Sequence, residues 1–285
     1  MNLEPSTIFC NNNSNKVYNL EVNEANSSAG VLAKGLIELD GKKYLAKTGD
    51  FRRPRFSSLE PVTEVICSEI IKYLGVDCAN YSLRELTVSG NGYWREQEVL
   101  CCLSEIFTNK GEKSITASRL LGVKNKRASY EDLIKVFNQL DINNMLVIDY
   151  LINNTDRHLR NFSLIINSND GSVRFAPLYD HGFSLGQDLD DDYLEEERDD
   201  FCYVYDECDY SKCCGLTNYQ QLSYVKFTSV NLSVCLSDLF NIIDKYSEYL
   251  PSYRVEFMKY LLERRMNYAR KIFSKREGNY FRRDS

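Results

Sequence analysis

Asn153-Asn154-Thr155-Asp156-Arg157-His158-Leu159-Arg160-Asn161-Phe162 and, shortly after it, Ala176-Pro177-Leu178-Tyr179-Asp180-His181-Gly182 are the stretches whose reading decides the fold of this chain. The protein has two histidines, and each sits in one of these acidic motifs. Between the motifs, Ser163–Ile166 and Val173–Ala176 read as short strands, with Asn169-Asp170-Gly171 as the turn between them. Asp156 and Asn161 are five residues apart, and Asp180 follows the hairpin. One carboxylate to take a hydroxyl proton, with an Asn and an Asp to hold Mg²⁺, is the set that phosphoryl transfer needs. On this reading Asp156 is the base, Asn161 and Asp180 are the metal ligands, and His158 is placed to meet a γ-phosphate. Taken singly, each residue has a plainer reading. Asp156 is then a turn carboxylate, and each histidine a satisfied polar residue in a turn.

Working upstream, Gly35–Lys47 reads as a hairpin turning at Asp40-Gly41. An earlier strand is expected near Val17–Val22, joined to it by the small, flexible run Asn26–Gly30. Lys47 ends the second hairpin strand and is the candidate for the α/β-phosphates of ATP; the plainer reading is a surface strand lysine. Residues from about Pro61 to Leu74 read as a helix, with Ile66, Ile70 and Leu74 on one stripe and Gly75 as its stop. Glu64 on that helix is the candidate to orient Lys47. Glu69 is its rival, and the sequence does not choose between them. Ser27, Ser28 and Gly30 offer backbone N–H groups to cover phosphates. There is no G-x-x-x-x-G-K-[ST] loop. Tyr81–Leu86 and about Glu96–Ser104 read as further strands.

Downstream the pattern turns helical. Ser129 begins a capping-box-like start, with an apolar stripe of Leu133, Phe137 and Leu140. A second helix over about Ile142–Ile152 runs into the first motif. Asp188–Asp200 is acidic and reads as a solvated loop. Leu232–Leu250 reads as helical, as does a long amphipathic stretch carrying Val255, Met258, Leu262, Ala269 and Ile272. The expected fold class is α+β. The expected domains are a β-rich N-terminal lobe over residues 1–104, a hinge over 105–109, and a helical C-terminal lobe over 110–285. A nucleotide would bind in the cleft between the lobes.

Bulk composition narrows the classes. A chain of 285 residues with 43% hydrophobic content can bury a substantial core. The net charge of −6 argues against a general nucleic-acid binder. No apolar run reaches the ~20 residues of a membrane helix. The N-terminus lacks a basic start and apolar stretch, so a cytoplasmic location is expected, or delivery without a recognisable signal. Of ten cysteines, four cluster at Cys202, Cys208, Cys213 and Cys214. Their spacing lacks paired C-x-x-C knuckles, which favours reduced thiols over zinc. Cys67, Cys101 and Cys102 read as small core residues.

The two motifs together resemble the HipA-like serine/threonine kinases of bacteria, which are best known from toxin–antitoxin modules. Weaker similarity extends from about residue 25 to 270. Ser27-Ser28-Ala29-Gly30 with Lys34 resembles the family's phosphate loop, and Ser104-Glu105-Ile106-Phe107 its adenine-binding hinge. The resemblance implies a two-lobed kinase-like fold, with ATP and Mg²⁺ as cofactors. It implies backbone groups of Glu105 and Phe107 near adenine, and a phosphate-loop serine that autophosphorylates, Ser27 first and Ser28 as the alternative. It implies a protein substrate and a small antitoxin as partner, with no direct nucleic-acid or membrane contact. The chain departs from the longer members in lacking their additional N-terminal subdomain, and in having Val31-Leu32-Ala33 and His181 where other residue types are common. Two other classes of function stay open at this point. One is an ATP-binding interaction protein without transfer activity. The other is a lipid or small-molecule kinase, which D-R-H-x-x-N also resembles.

Overall fold

The computed structural model describes residues 16–22, 32–50, 59–89, 96–123, 127–202, 204 and 216–280. Ser27, Ser28, Gly30, the Arg52–Arg55 stretch and Cys208, Cys213 and Cys214 lie outside the described residues.

The first part is a six-stranded sheet in the order β1-β5-β6-β4-β3-β2. Its frame is the hairpin of β3 (Leu32–Leu39) and β4 (Lys42–Asp50). Asp40 and Gly41 both have positive φ, 50° and 74°, the geometry that two-residue hairpin turns require and that Asp-Gly tolerates. β4 pairs on its other side with β6 (Gln97–Glu105), and β6 with β5 (Tyr81–Ser89). The single strand expected near Val17–Val22 is in fact two short ones. β1 (Tyr18–Asn19) runs parallel to β5, and β2 (Glu21–Val22) runs antiparallel to β3. Leu20 between them is fully buried, so the chain crosses from one end of the sheet to the other at an apolar anchor.

One face of the sheet closes on itself through Tyr18, Leu20, Ala33, Ile37, Ala46, Leu86, Val88, Cys101 and Leu103. The other packs on α1 (Leu59–Tyr73), which is buried on nearly every side. Gly75, with φ of 81°, ends α1, and Val76 N–H bonds back to the Ile71 carbonyl at 3.2 Å. A helix apolar all round belongs between layers. Here the second layer is the helical part, and a single core runs from α1 through Cys67 and Cys102 to the C-terminal helices.

That part opens with β7 (Glu112–Thr116), a strand the sequence reading missed, and the short α2 (Ala117–Leu120). β7 pairs with β8 (Ser163–Asn167), and β8 with β9 (Val173–Phe175). The supposed stripe Leu133–Phe137–Leu140 is broken. α3 (Tyr130–Val136), capped by Ser129, stops because Phe137 is extended, and Asn138 caps a new helix, α4 (Gln139–Leu151). Phe137 is buried against Phe162, whereas Leu140 is exposed. Two local caps override the periodicity.

The acidic run is also not simply a loop. Asp190 caps a short helix, α5 (Asp191–Glu196), and buried Arg254 bonds Asp191 at 2.7 Å and the Gly186 carbonyl at 2.6 Å. Further along, the described residues form α6 (Asn218–Leu222), α7 (Leu236–Asp244), a 3₁₀ turn at Ser247–Tyr249 and α8 (Ser252–Tyr280). Among the described residues no helix is long and apolar enough to cross a membrane. Among them, too, no three His, Cys, Asp or Glu side chains are grouped to hold a metal.

Candidate active site

Lys47 projects from the face of β4 that meets α1. Its ammonium lies 2.8 Å from Glu64 Oε1 and 2.5 Å from Asp180 Oδ1. Burial by itself would lower Lys47, but the carboxylates of Asp180 and Glu64 outweigh it and hold the ammonium well above its ordinary value. Burial likewise works to raise Asp180, and Lys47 overcomes it, leaving the carboxyl well below the usual range. Both groups are therefore ionised at neutral pH.

The rivalry between Glu64 and Glu69 resolves by helix geometry. Five residues along a helix turn a side chain by about 140°. Glu64 faces Lys47, and its other oxygen accepts the His181 N–H at 2.8 Å. Glu69 faces the helical layer, accepting from Lys245 at 2.7 Å and the Tyr246 hydroxyl at 2.5 Å. Tyr73 adds a 2.6 Å bond to Asp238 of α7. α1 is thus fixed at both faces. Glu69→Ala is expected to lower the melting temperature by roughly 2–6 °C, for about 1–2 kcal/mol of lost charge-assisted bonding. Differential scanning calorimetry checks it, and a melting curve that does not move would mean that α1 is held by packing alone.

The loop carrying Asp156 begins at the end of α4. Asn153 takes a left-handed φ of 51°, and Asn154 N–H returns to the Asp149 carbonyl at 2.9 Å. Asn154 Oδ1 accepts the Asp156 N–H at 3.0 Å, and Asn161 Nδ2 donates to the Asp156 carbonyl at 3.1 Å. This turns the Asn161 amide so that its oxygen remains for a cation. His158 Nε2 lies 4.0 Å from Asp156 Oδ2, while its Nδ1 accepts the Arg160 N–H at 3.3 Å. Burial lowers His158 despite the pull of Asp156, so the ring is neutral at pH 7 and offers Nε2–H as a donor.

Arg157 and Asp149, given no role in the sequence reading, organise the centre. Arg157 is fully buried and grips the Asp149 carboxylate with Nε and Nη2 at 2.9–3.1 Å. Its Nη1 donates to the carbonyls of Asn161 and Tyr179, each at 2.7 Å. One nitrogen thereby ties the loop bearing Asn161 to the turn bearing Asp180. Nη2 also faces His181 Nδ1 at 3.0 Å, which makes that nitrogen an acceptor and directs Nε2–H toward Cys78 Sγ at 3.5 Å. Burial first, then the Arg157 charge, pushes His181 well below its ordinary value. The available signal was Asp149 itself. A carboxylate inside the apolar run Met145–Ile152 must have a buried partner.

Asp180 holds a left-handed φ of 64°, a conformation that strains residues with a Cβ, and the Tyr81 hydroxyl accepts its N–H at 3.1 Å. Gly182 follows because Glu60 lies against it: a Cβ there would come 2.3 Å from Glu60 Cγ. Glu60 is buried, and burial raises its carboxyl to about 8, opposed by Lys47 and reinforced by Glu64 and Asp180. Between its ordinary value of 4.5 and about 8, the native state holds a proton that the unfolded chain has lost. Its contribution to stability is complete at low pH and disappears as pH rises through the upper value. Glu60→Gln mimics the protonated acid. Its melting temperature relative to wild type is expected to be nearly unchanged at ~pH 5 and higher by several degrees at ~pH 9. A pH-independent difference would contradict the buried protonated state.

At the end of β6, Glu105 N–H donates to the Asn80 carbonyl at 3.0 Å, and the Phe107 carbonyl accepts from Arg174 at 3.2 Å. The Glu105 carbonyl accepts from the Ser104 hydroxyl at 3.5 Å. The Phe107 ring stacks on Tyr179 with centroids 5.5 Å apart, so the segment after β6 rests on the residue before Asp180. Leu36 and Leu45 are cross-strand partners two residues from the Lys34–Lys47 pair, and therefore share its face. Leu36 is 71% exposed there, an apolar surface the sequence reading did not use.

Comparison with known proteins identifies a family and a fold. The family model described as HipA-like C-terminal domain matches residues 26–200. No curated protein sequence matches the chain. Among solved structures, the Helicobacter pylori proinflammatory kinase CtkA superposes with a TM-score of 0.64 at 14% identity, covering 88% of this chain and 94% of that one. This likeness identifies the fold as kinase-like. HipA of Shewanella oneidensis MR-1, solved with HipB and operator DNA, gives a TM-score of 0.48 at 16% identity, covering 85% of this chain and 64% of that one.

Proposed function

The chain belongs to the HipA-like C-terminal domain family, and from that premise we propose that it is an ATP-dependent serine/threonine protein kinase. One observation carries the reading: the ammonium of Lys47 joins Glu64 of α1 and Asp180 of the turn after β9, beside the loop that presents Asp156. On nucleotide entry Lys47 exchanges Asp180 for phosphate oxygens and keeps Glu64. Asp180 and the Asn161 amide oxygen fit Mg²⁺, because both offer oxygen and Arg157 fixes their spacing. When bound, Mg²⁺ supplies charge neutralisation on the β- and γ-phosphates.

Adenine would lie against Leu36 and Leu45, bonded by the Glu105 carbonyl and Phe107 N–H. Asp156 takes the proton of a serine or threonine hydroxyl as that oxygen bonds to the γ-phosphorus. The bond to the β,γ-bridging oxygen breaks, and ADP leaves. His158 acts as a neutral donor toward the γ-phosphate rather than as a cation. Ser27 or Ser28 is the first acceptor in this reading, and family membership motivates a small antitoxin-like protein partner.

Incubation with radiolabelled ATP and Mg²⁺, followed by phosphosite mapping, tests the activity. Label on serine or threonine is the expected result. ATP binding by thermal shift with no label on the chain or on proteins of an extract would overturn transfer and leave a nucleotide-binding protein.

A further inference from the structure

Behind the hinge, a cavity of about 420 Å³ lies between the end of α1, the first turn of α4 and β9. Its lining includes Asp77, Asp141, Asn144, Arg174 and Leu178. The charges on these walls do not cancel. Arg174 is already engaged, with Nη2 at 3.2 Å from Glu112 and 3.2 Å from the Phe107 carbonyl. Asn144 is likewise used, by Thr228 and Ser229. The Asp141 side chain has no hydrogen bond or ion pair among the described residues, and burial raises its carboxyl. An acid in the first turn of a helix is ordinarily explained by the helix dipole. That does not account for a second carboxylate, Asp77, on the facing wall.

β9 is the last strand of its sheet. Ala176 N–H bonds to Ser163 and Asn167 N–H to Ser172, so alternate residues of the strand turn toward β8. The N–H and C=O groups of Val173 and Phe175 turn to the other side, where no strand pairs with them among the described residues. Val173 is 56% exposed. Two more apolar residues are exposed near these elements: Leu140, next to Asp141 in α4, and Phe227, whose carbonyl accepts from Asn143 of α4.

We propose that the cavity and the free edge of β9 form a docking site for an extended segment of a partner protein, with a lysine or arginine side chain entering between Asp77 and Asp141. The open edge selects an extended backbone, the two uncompensated carboxylates select a cation, and Val173, Leu140 and Phe227 select apolar neighbours. The site does not depend on phosphoryl transfer, so its test is independent of the proposed activity.

The probe is a fluorescein-labelled peptide of alternating valine and threonine with one central arginine, compared by fluorescence anisotropy with the same peptide carrying glutamine. On the full chain the arginine peptide is expected to bind about tenfold more tightly. Asp77→Asn with Asp141→Asn removes that advantage, and so does Val173→Lys, at an exposed position where folding is not at risk. Glu196→Gln, which removes an exposed acid on α5, leaves it intact and so excludes a general effect of the net negative charge. Equal binding of the two peptides, no binding of either, or an arginine advantage that survives in the double variant would overturn the proposal.

Discussion

Asp156→Asn is expected to reduce phosphate incorporation by roughly a thousandfold, with ATP binding and melting temperature unchanged. The substitution keeps the shape of the side chain and leaves its backbone anchors in place, the bonds from Asn161 and to Asn154. It removes only the ability to accept the acceptor hydroxyl's proton. Lys47, the candidate phosphate-binding group, pairs with Glu64 and Asp180, so nucleotide affinity should be retained. Phosphate incorporation, measured beside an ATP thermal shift on the same preparation, checks the expectation. A variant that labels as well as wild type would remove Asp156 from the chemistry. A variant that also loses ATP binding would give it a role in binding instead.

Replacing Arg157 is expected to have the largest effect on stability. Arg157→Ala leaves Asp149 buried and uncompensated, and also orphans the carbonyls of Asn161 and Tyr179. Loss of one partner of a buried pair costs about 3–5 kcal/mol. Burial already raises Asp149 despite the guanidinium, so without Arg157 it would take up a proton. The double variant Arg157→Met with Asp149→Leu separates charge from positioning. It removes both charges together and should recover much of the stability, because well-packed apolar replacements of buried pairs are often neutral. Phosphate incorporation should stay low in it, because nothing then ties the Asn161 loop to the Asp180 turn. Recovery of both stability and incorporation would show that Arg157 only balances a charge. Chemical denaturation with parallel incorporation assays distinguishes the outcomes.

Much of the fold was legible because its signals are local. Asp40-Gly41 announces a hairpin through turn chemistry, and Gly75 ends α1 through a left-handed cap. Ser163–Asn167 and Val173–Phe175 form the hairpin between the motifs, close to the expected ranges. The misreadings came where two local signals compete or where pairing is remote. The Leu133–Phe137–Leu140 stripe was helical in period, yet Phe137 and Asn138 break it. β7 was missed because its stability comes from pairing with β8, about fifty residues away.

The sequence alone nominated the members of the candidate site, Asp156, Asn161, Asp180 and Lys47, by residue type and spacing. Only the tertiary structure decided how they are held. Whether Glu64 or Glu69 meets Lys47 depends on which face of α1 the sheet covers, and a linear pattern does not contain that face. The role of Arg157 was invisible for the same reason. Its partners come from α4, from its own loop and from the turn before Asp180, and a guanidinium does such work only where packing has excluded water and made every unpaired group costly.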